Sequence, residues 1–232
     1  MNRYIKFLFI IFTLHCITVQ GQEENTLLEQ VKAKLDRVND YTAKGRMVLD
    51  VAFIDAPPSQ VIMYYKKPDR FKVKKNGGIS ILPKGGVNIN MGSLLSNDNY
   101  DVVPSKDAVI DGITTKVFKL LPREEGGDVV LTTLYIEEAK QVIRKTVVTT
   151  KENGTYEIEL TYGKYTSWGL PDKVVFSFNT KDYKLPKGIT FEYDKGEKKK
   201  DNQGKNKKGT VTITYSEYLI NKGVDDKVFE KS

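Results

Sequence analysis

Apolar residues in this chain recur first at helical spacing and then at strand spacing. Leu27, Leu28, Val31, Leu35 and Val38 fall on one face of a helix, and Thr26 followed three residues later by Glu29 reads as a capping box in front of them. The pattern predicts one amphipathic helix over about residues 26–40. Behind it the period changes to two. Met47, Leu49, Val51 and Phe53 share one strand face; Val61, Met63 and Tyr65, then Phe71 and Val73, continue on either side of a turn at Lys67-Pro68-Asp69. Further strands are marked by Phe118 and Leu120; Leu131 and Tyr135; Ile143 and Val147; Tyr156, Ile158, Leu160 and Tyr162; Val174, Phe176 and Phe178; Ile189, Phe191 and Tyr193; and Val211, Ile213 and Tyr215. Asn153-Gly154 between two such runs predicts a hairpin through a two-residue turn.

About ten strands in series behind one helix predict a mainly β fold with α. The expected architecture is an incomplete antiparallel β-barrel, a strongly curved sheet covered by the N-terminal helix. A short helical turn around residues 92–99 is the one interruption. The helix must bury its Leu/Val stripe, and the concave face of the sheet is the surface available to it. A curled sheet of this size either fills its concavity with side chains or keeps a cavity for a ligand.

The amino terminus changes how the rest is counted. Arg3 and Lys6 precede an apolar run, Phe7 to Ile17, too short to span a bilayer and of the right length for a signal-peptide core. Val19 and Gly21 place small residues at the cleavage positions, so residues 1–21 read as a signal peptide and 22–232 as a single domain. Lipid attachment at Cys16 is disfavoured by His15, since a small residue is wanted before a lipidated Cys. The expectation is an exported protein, periplasmic or secreted. The chain's single His and single Cys both lie in the removed segment. The mature chain would then lack imidazole and thiol, which excludes Ser-His-Asp and Cys-His catalysis, zinc sites built on those ligands, and disulfides.

Charge is similarly localised. The formal net charge of +7 falls to +5 without Arg3 and Lys6. The stretch Lys195–Lys208 carries seven lysines, Lys195, Lys198, Lys199, Lys200, Lys205, Lys207 and Lys208, against Glu197 and Asp201, so the remainder sums to zero. This basic loop holds no Arg and no aromatic, so nucleic-acid binding is not expected. An anionic membrane surface is the partner it would suit in an exported protein. Neighbouring acids at Glu124-Glu125, Glu137-Glu138 and Asp225-Asp226 point to opposite faces of a strand and do not converge on a substrate. Asn97, Asp98, Asn99 and Asp101 lack the spacing of a calcium loop. The chain is therefore read as non-enzymatic, with no cofactor and no metal.

Aromatic residues sit mostly on strand positions, where the core takes them. Where the concave face exceeds what one helix can cover, Met47, Leu49, Val51, Met63, Tyr65, Phe71 and Val73 would line an adaptable apolar cavity.

Leu35-Asp36-Arg37-Val38-Asn39-Asp40-Tyr41-Thr42-Ala43 and Tyr64-Tyr65-Lys66-Lys67-Pro68-Asp69-Arg70-Phe71-Lys72-Val73 resemble two segments of the LolA-type periplasmic lipoprotein carriers, a likeness concentrated in residues 27–75. Gly45 stands where that family usually has an apolar aromatic. The resemblance implies an incomplete barrel closed by helices around a cavity for lipoprotein acyl chains. It places Lys67 at the position of a family Arg associated with lipoprotein transfer, here at the cavity mouth, and Tyr64 at that of a cavity-region Trp. The expected function is an exported carrier, a monomer, that binds acyl chains or lipoproteins. The alternative is an envelope interaction or sensor module of the same fold, binding a protein or an anionic surface, with its concavity filled.

Overall fold

A computed structural model of the chain describes residues 19–51, 57–75, 99–123, 126–152, 154–179 and 208–230. Helix α1 (Val19–Asp36) precedes ten strands: β1 (Asp40–Asp50), β2 (Ser59–Lys66), β3 (Arg70–Lys75), β4 (Tyr100–Ile110), β5 (Ile113–Pro122), β6 (Val129–Glu137), β7 (Val142–Thr150), β8 (Thr155–Thr161), β9 (Lys173–Asn179) and β10 (Lys208–Ile220). Short 3-10 turns lie at Thr166–Trp168 and Asp226–Phe229. All ten strands form one antiparallel sheet in the order β3-β2-β1-β10-β9-β8-β7-β6-β5-β4. The sheet is not closed, and β3 and β4 are its two edges. Among the described residues no helix is long and apolar enough to cross a membrane.

Laid flat, ten strands would span roughly 43 Å. Inward residues from β1, β2 and β5–β10 nevertheless join the stripe of α1 in a single core cluster, which requires the sheet to curl around the helix. The register shows how. Phe118, Leu134, Thr146, Ile158, Phe176, Val211 and Leu49 face one another in sequence from β5 to β1, one row across the concave side. Met47 continues the next row from Ile213, and Ala43 and Met63 meet behind it.

Two bulges keep apolar residues inside where strict alternation would turn them out. On β10 the register shifts opposite Lys44/Gly45, so that Ser216 is the extra residue and both Tyr215 and Tyr218 point inward. A Cβ on Gly45 would lie 2.7 Å from the Thr214 carbonyl oxygen, which explains the glycine in the place of an aromatic. On β7 the shift at Arg144 separates Ile143, which faces Ile136 in the core, from Val147, which faces Thr133 on the outside.

The structure corrects several expectations. Helix α1 begins seven residues before Thr26, which therefore lies in its interior and is not its N-cap. It ends at Asp36, four residues early: the Arg37 and Val38 amides close a tight turn on the Lys34 and Leu35 carbonyls, the Asn39 amide donates to Asn221, and the chain enters β1 at Asp40. Strand β4 carries no strict alternation, only Pro104 and a bulge between Ser105 and Ala108, and the sequence pattern missed it. On β6 Thr132, Leu134 and Ile136 are buried on the concave side, with Glu137 buried at the strand's end; Leu131 and Tyr135 share the opposite face. The β7–β8 hairpin forms with Gly154 at φ 69°, but the flanking pair is Thr149 with Thr155, so the turn is longer than two residues. Residues 1–18 of the proposed signal segment, Phe53, residues 92–98 of the expected turn, Asn153, the strand expected at 189–193 and all the named lysines of the basic loop except Lys208 lie outside the described residues.

Candidate functional site

The concave face has two different ends. Connections β2–β3, β4–β5, β6–β7 and β8–β9 lie at one end, together with the start of β1 and the end of β10; the opposite strand ends, among them those joined in sequence by β1–β2 and β9–β10, lie at the other. The first end is sealed by tyrosines. Tyr218 stacks on Tyr215 at 4.8 Å between ring centroids and meets the edges of Tyr165 at 4.8 Å and Tyr41 at 5.4 Å, while Tyr41 lies 5.3 Å from Tyr65. The Tyr218 hydroxyl donates to the Pro171 carbonyl at 2.8 Å, and that of Tyr162 to the Ile143 carbonyl at 2.9 Å. Burial raises the pKa of Tyr41, Tyr162, Tyr215 and Tyr218 above the ordinary phenol value, because a phenolate there would be without water.

Helix α1 lies over this face with Leu27, Leu28 and Val31 buried and Leu35 half-buried against the core. Its C-terminal half is tied down at the tyrosine end. Lys67 of the β2–β3 turn donates to the Asp36 carbonyl and sits 3.4 Å from the Asp36 carboxylate, a cation at a helix C-terminus. Arg37 stacks over Trp168 at 4.9 Å, Lys34 donates to the Lys140 carbonyl, and Gln141 donates to Gln30 at 2.9 Å. Asn221 accepts from the Asn39 amide and donates to the Arg37 carbonyl, both at 2.8 Å, joining the helix exit to the end of β10.

At the opposite end the surface is aliphatic and aromatic. Leu49, Val51, Phe118, Leu120, Phe176 and Phe178 are buried, and Tyr156 lies 5.3 Å from Phe176. Gly209 leaves room for the Phe178 ring, since a Cβ there would meet it at 2.7 Å. Along the two sheet edges, Phe71 and Val73 of β3 and Tyr100 and Val102 of β4 are only half-buried while packed against the same core. Near the β6–β7 turn, Glu137 and Arg144 are buried with 3.8 Å between their nearest charged atoms, and Lys140 reaches Glu137 at 3.0 Å.

Of the residues singled out by sequence, the structure brings together Met47, Leu49, Val51, Met63 and Tyr65, all buried on the concave face, with Phe71 and Val73 at its edge. Tyr64 does not join them: it lies on the outer face of β2, its ring 5.5 Å from the Lys74 ammonium. Lys67 is held by the helix terminus. Lys208 opens β10, 3.4 Å from Glu157. The sequence reading overlooked the tyrosine end and the contribution of β8–β10 to the concave surface, although period-two spacing at Phe176, Phe178, Val211 and Ile213 carried the second.

No protein-family model and no curated protein sequence matches the chain. Solved structures do resemble it. A domain assigned to outer membrane lipoprotein sorting from Vibrio parahaemolyticus aligns with a TM-score of 0.56 at 9% identity, over 87% of this chain and 95% of that one. A DUF1329 family protein from Desulfovibrio piger gives 0.57 at 10% identity over 89% and 96%, and a LolA superfamily protein from Nitrosomonas europaea 0.53 at 8% over 89% and 97%. The chain has a LolA-like fold.

Proposed function

We propose that this protein is an exported, non-enzymatic carrier that binds acyl chains, free or borne by a lipoprotein, between α1 and the concave face of its sheet. The observation that carries this reading is the pair of open sheet edges: Phe71 and Val73 on one side and Tyr100 and Val102 on the other continue the buried apolar surface outward and are themselves only half-buried. Met47 and Met63 beneath the helix supply side chains that repack around a flexible guest. A sixteen-carbon chain offers about 14 methylenes at roughly 0.8 kcal/mol each, enough for micromolar binding after the cost of association. Admission requires α1 to shift, and its polar ties at Lys67, Lys34 and Gln30 are of the exposed kind that open cheaply. Export follows from the signal-like residues 1–21, with the periplasm as the compartment in which such a carrier would work.

A sensor or interaction module with a filled concavity is the competing reading, favoured by the complete burial of Ala43, Met63 and Leu134. Native mass spectrometry of the protein purified from cells that export it, together with titration of a fluorescent fatty acid, decides between them. A co-purifying mass of one lipid and saturable uptake are expected. Lipid-free protein that takes up no probe would overturn the carrier reading and leave the module.

A further inference from the structure

The charge that the sequence assigned to one lysine-rich stretch has a second seat. Residues 59–75, the β2–β3 hairpin, hold six basic residues against one acid, Asp69. The hairpin at the other edge of the sheet, Tyr100–Pro122, holds three lysines and three aspartates. Lysines on an edge strand discourage edge-to-edge pairing, but both edges need that protection and only one is basic. The position of the charge on the outer face is more specific. Across the strands, Ile62 faces Lys44 on β1 and Lys74 on β3, while Tyr64 faces Lys72. Arg46, opposite Gln60, completes a ring of four cations around Ile62 and Tyr64. Lys44 is paired with Glu217 at 2.8 Å, and Lys72 donates to the Glu230 carbonyl at 2.7 Å, which leaves its charge uncompensated. Among the described residues no carboxylate pairs with Arg46, Lys72 or Lys74. The C-terminal 3-10 turn follows β3, with Asp226 binding Lys66 and Arg70, Phe229 against Arg70 and the Glu230 carbonyl reaching Lys72.

We infer that this outer face of β1–β3 docks the protein on an anionic lipid surface. A tyrosine and an isoleucine ringed by Lys and Arg match the interface of a bilayer, where an amphipathic ring and an aliphatic side chain sit at headgroup depth and the cations meet phosphate. Nucleic acids, the alternative polyanions, suit the patch less, since it offers one aromatic where a strand of bases needs several, and, on the proposed reading of an exported protein, they would not share its compartment. Docking in this orientation brings edge β3, with Phe71 and Val73 on its inner side, against the lipid surface. The assignment does not require the concavity to be occupied, because surface binding and acyl uptake are read separately.

Flotation of the full chain with vesicles of phosphatidylcholine containing about one third phosphatidylglycerol tests it. The protein floats with these vesicles, not with pure phosphatidylcholine, and binding declines as salt rises. Lys72→Glu/Lys74→Glu lowers the partition coefficient about tenfold or more, Arg46→Glu several-fold, and the neutral Lys72→Gln/Lys74→Gln by an intermediate factor. Lys106→Glu/Lys119→Glu changes net charge equally on the opposite hairpin and leaves binding within about twofold. Circular dichroism confirms that each variant is folded, and Arg46→Glu, on a different strand, stands in should the double variants misfold. Equal losses for both hairpins, binding abolished only by deleting residues 195–207, or capture by heparin without capture by vesicles would each overturn the assignment.

Discussion

Single positions in this fold are constrained by what faces them across the sheet. Gly45 is the clearest case: the atom that a Cβ would strike belongs to the Thr214 backbone and cannot rotate away. Gly45→Ala is expected to cost about 1–3 kcal/mol and to lower the urea midpoint without altering the m-value. The tyrosine end carries a pH signature. Buried phenols at Tyr41, Tyr162, Tyr215 and Tyr218 keep their protons in the folded chain to higher pH than in the unfolded chain, which releases them from about pH 10. Their contribution is fully present below that pH and is lost as pH rises toward the folded values, by up to about 1.4 kcal/mol per unit for each. Urea unfolding across pH 9–12 should show this decline, and Tyr218→Phe should make it shallower while costing about 1–3 kcal/mol at pH 7, because the buried Pro171 carbonyl loses its donor. An unchanged alkaline slope would mean that these phenols are hydrated. None of this was visible in the sequence, where Tyr41, Tyr165 and Tyr218 are spread over 178 positions and meet only through the β1–β10 pairing and the fold-back of the β8–β9 connection.

At the scale of elements, the sequence was legible wherever periodicity was unbroken. Leu27, Leu28 and Val31 of α1 are buried and Leu35 half-buried, as their spacing predicted, with Val38 buried just past the helix end, and nine of the strand runs coincide with observed strands. Legibility failed where one residue is inserted or the strand lies at an edge: the bulge at Arg144 reverses the side on which Val147 emerges, and β4, exposed along one side and containing Pro104, has no need of alternation. The attachment of α1 was likewise hidden, since it depends on turns brought together from four parts of the chain. Its tie through Lys67 is half-exposed and contributes little to global stability. Lys67→Ala should therefore leave the melting temperature within about 2 °C while amides of residues 33–38 exchange with deuterium several-fold faster and fatty-acid uptake quickens. A variant with unchanged exchange would show that the buried Leu/Val stripe alone fixes the helix.

For the whole molecule, the two ends of the sheet give the proposed cavity a direction. Tyrosines, tight turns and the tied end of α1 close one end, whereas the β1–β2 and β9–β10 connections, the latter containing the lysine-rich stretch, leave from the other. An acyl chain admitted between sheet and helix would point its methyl group at the tyrosines and its anionic head toward the sheet end where β9 stops at Asn179 and β10 begins at Lys208. The chain's single Trp reports on this without mutation: Trp168 packs against the core in the β8–β9 connection, at the tyrosine end. Fatty acids brominated near the methyl terminus should quench its fluorescence strongly at saturation, and isomers brominated near the carboxylate only weakly. The reverse order would mean that the head enters first and that the tyrosine hydroxyls receive it. Equal quenching would mean a chain lying across the cavity, parallel to the strand rows rather than along the strands, and the sheet edges at β3 and β4, not its ends, would then be the route of admission.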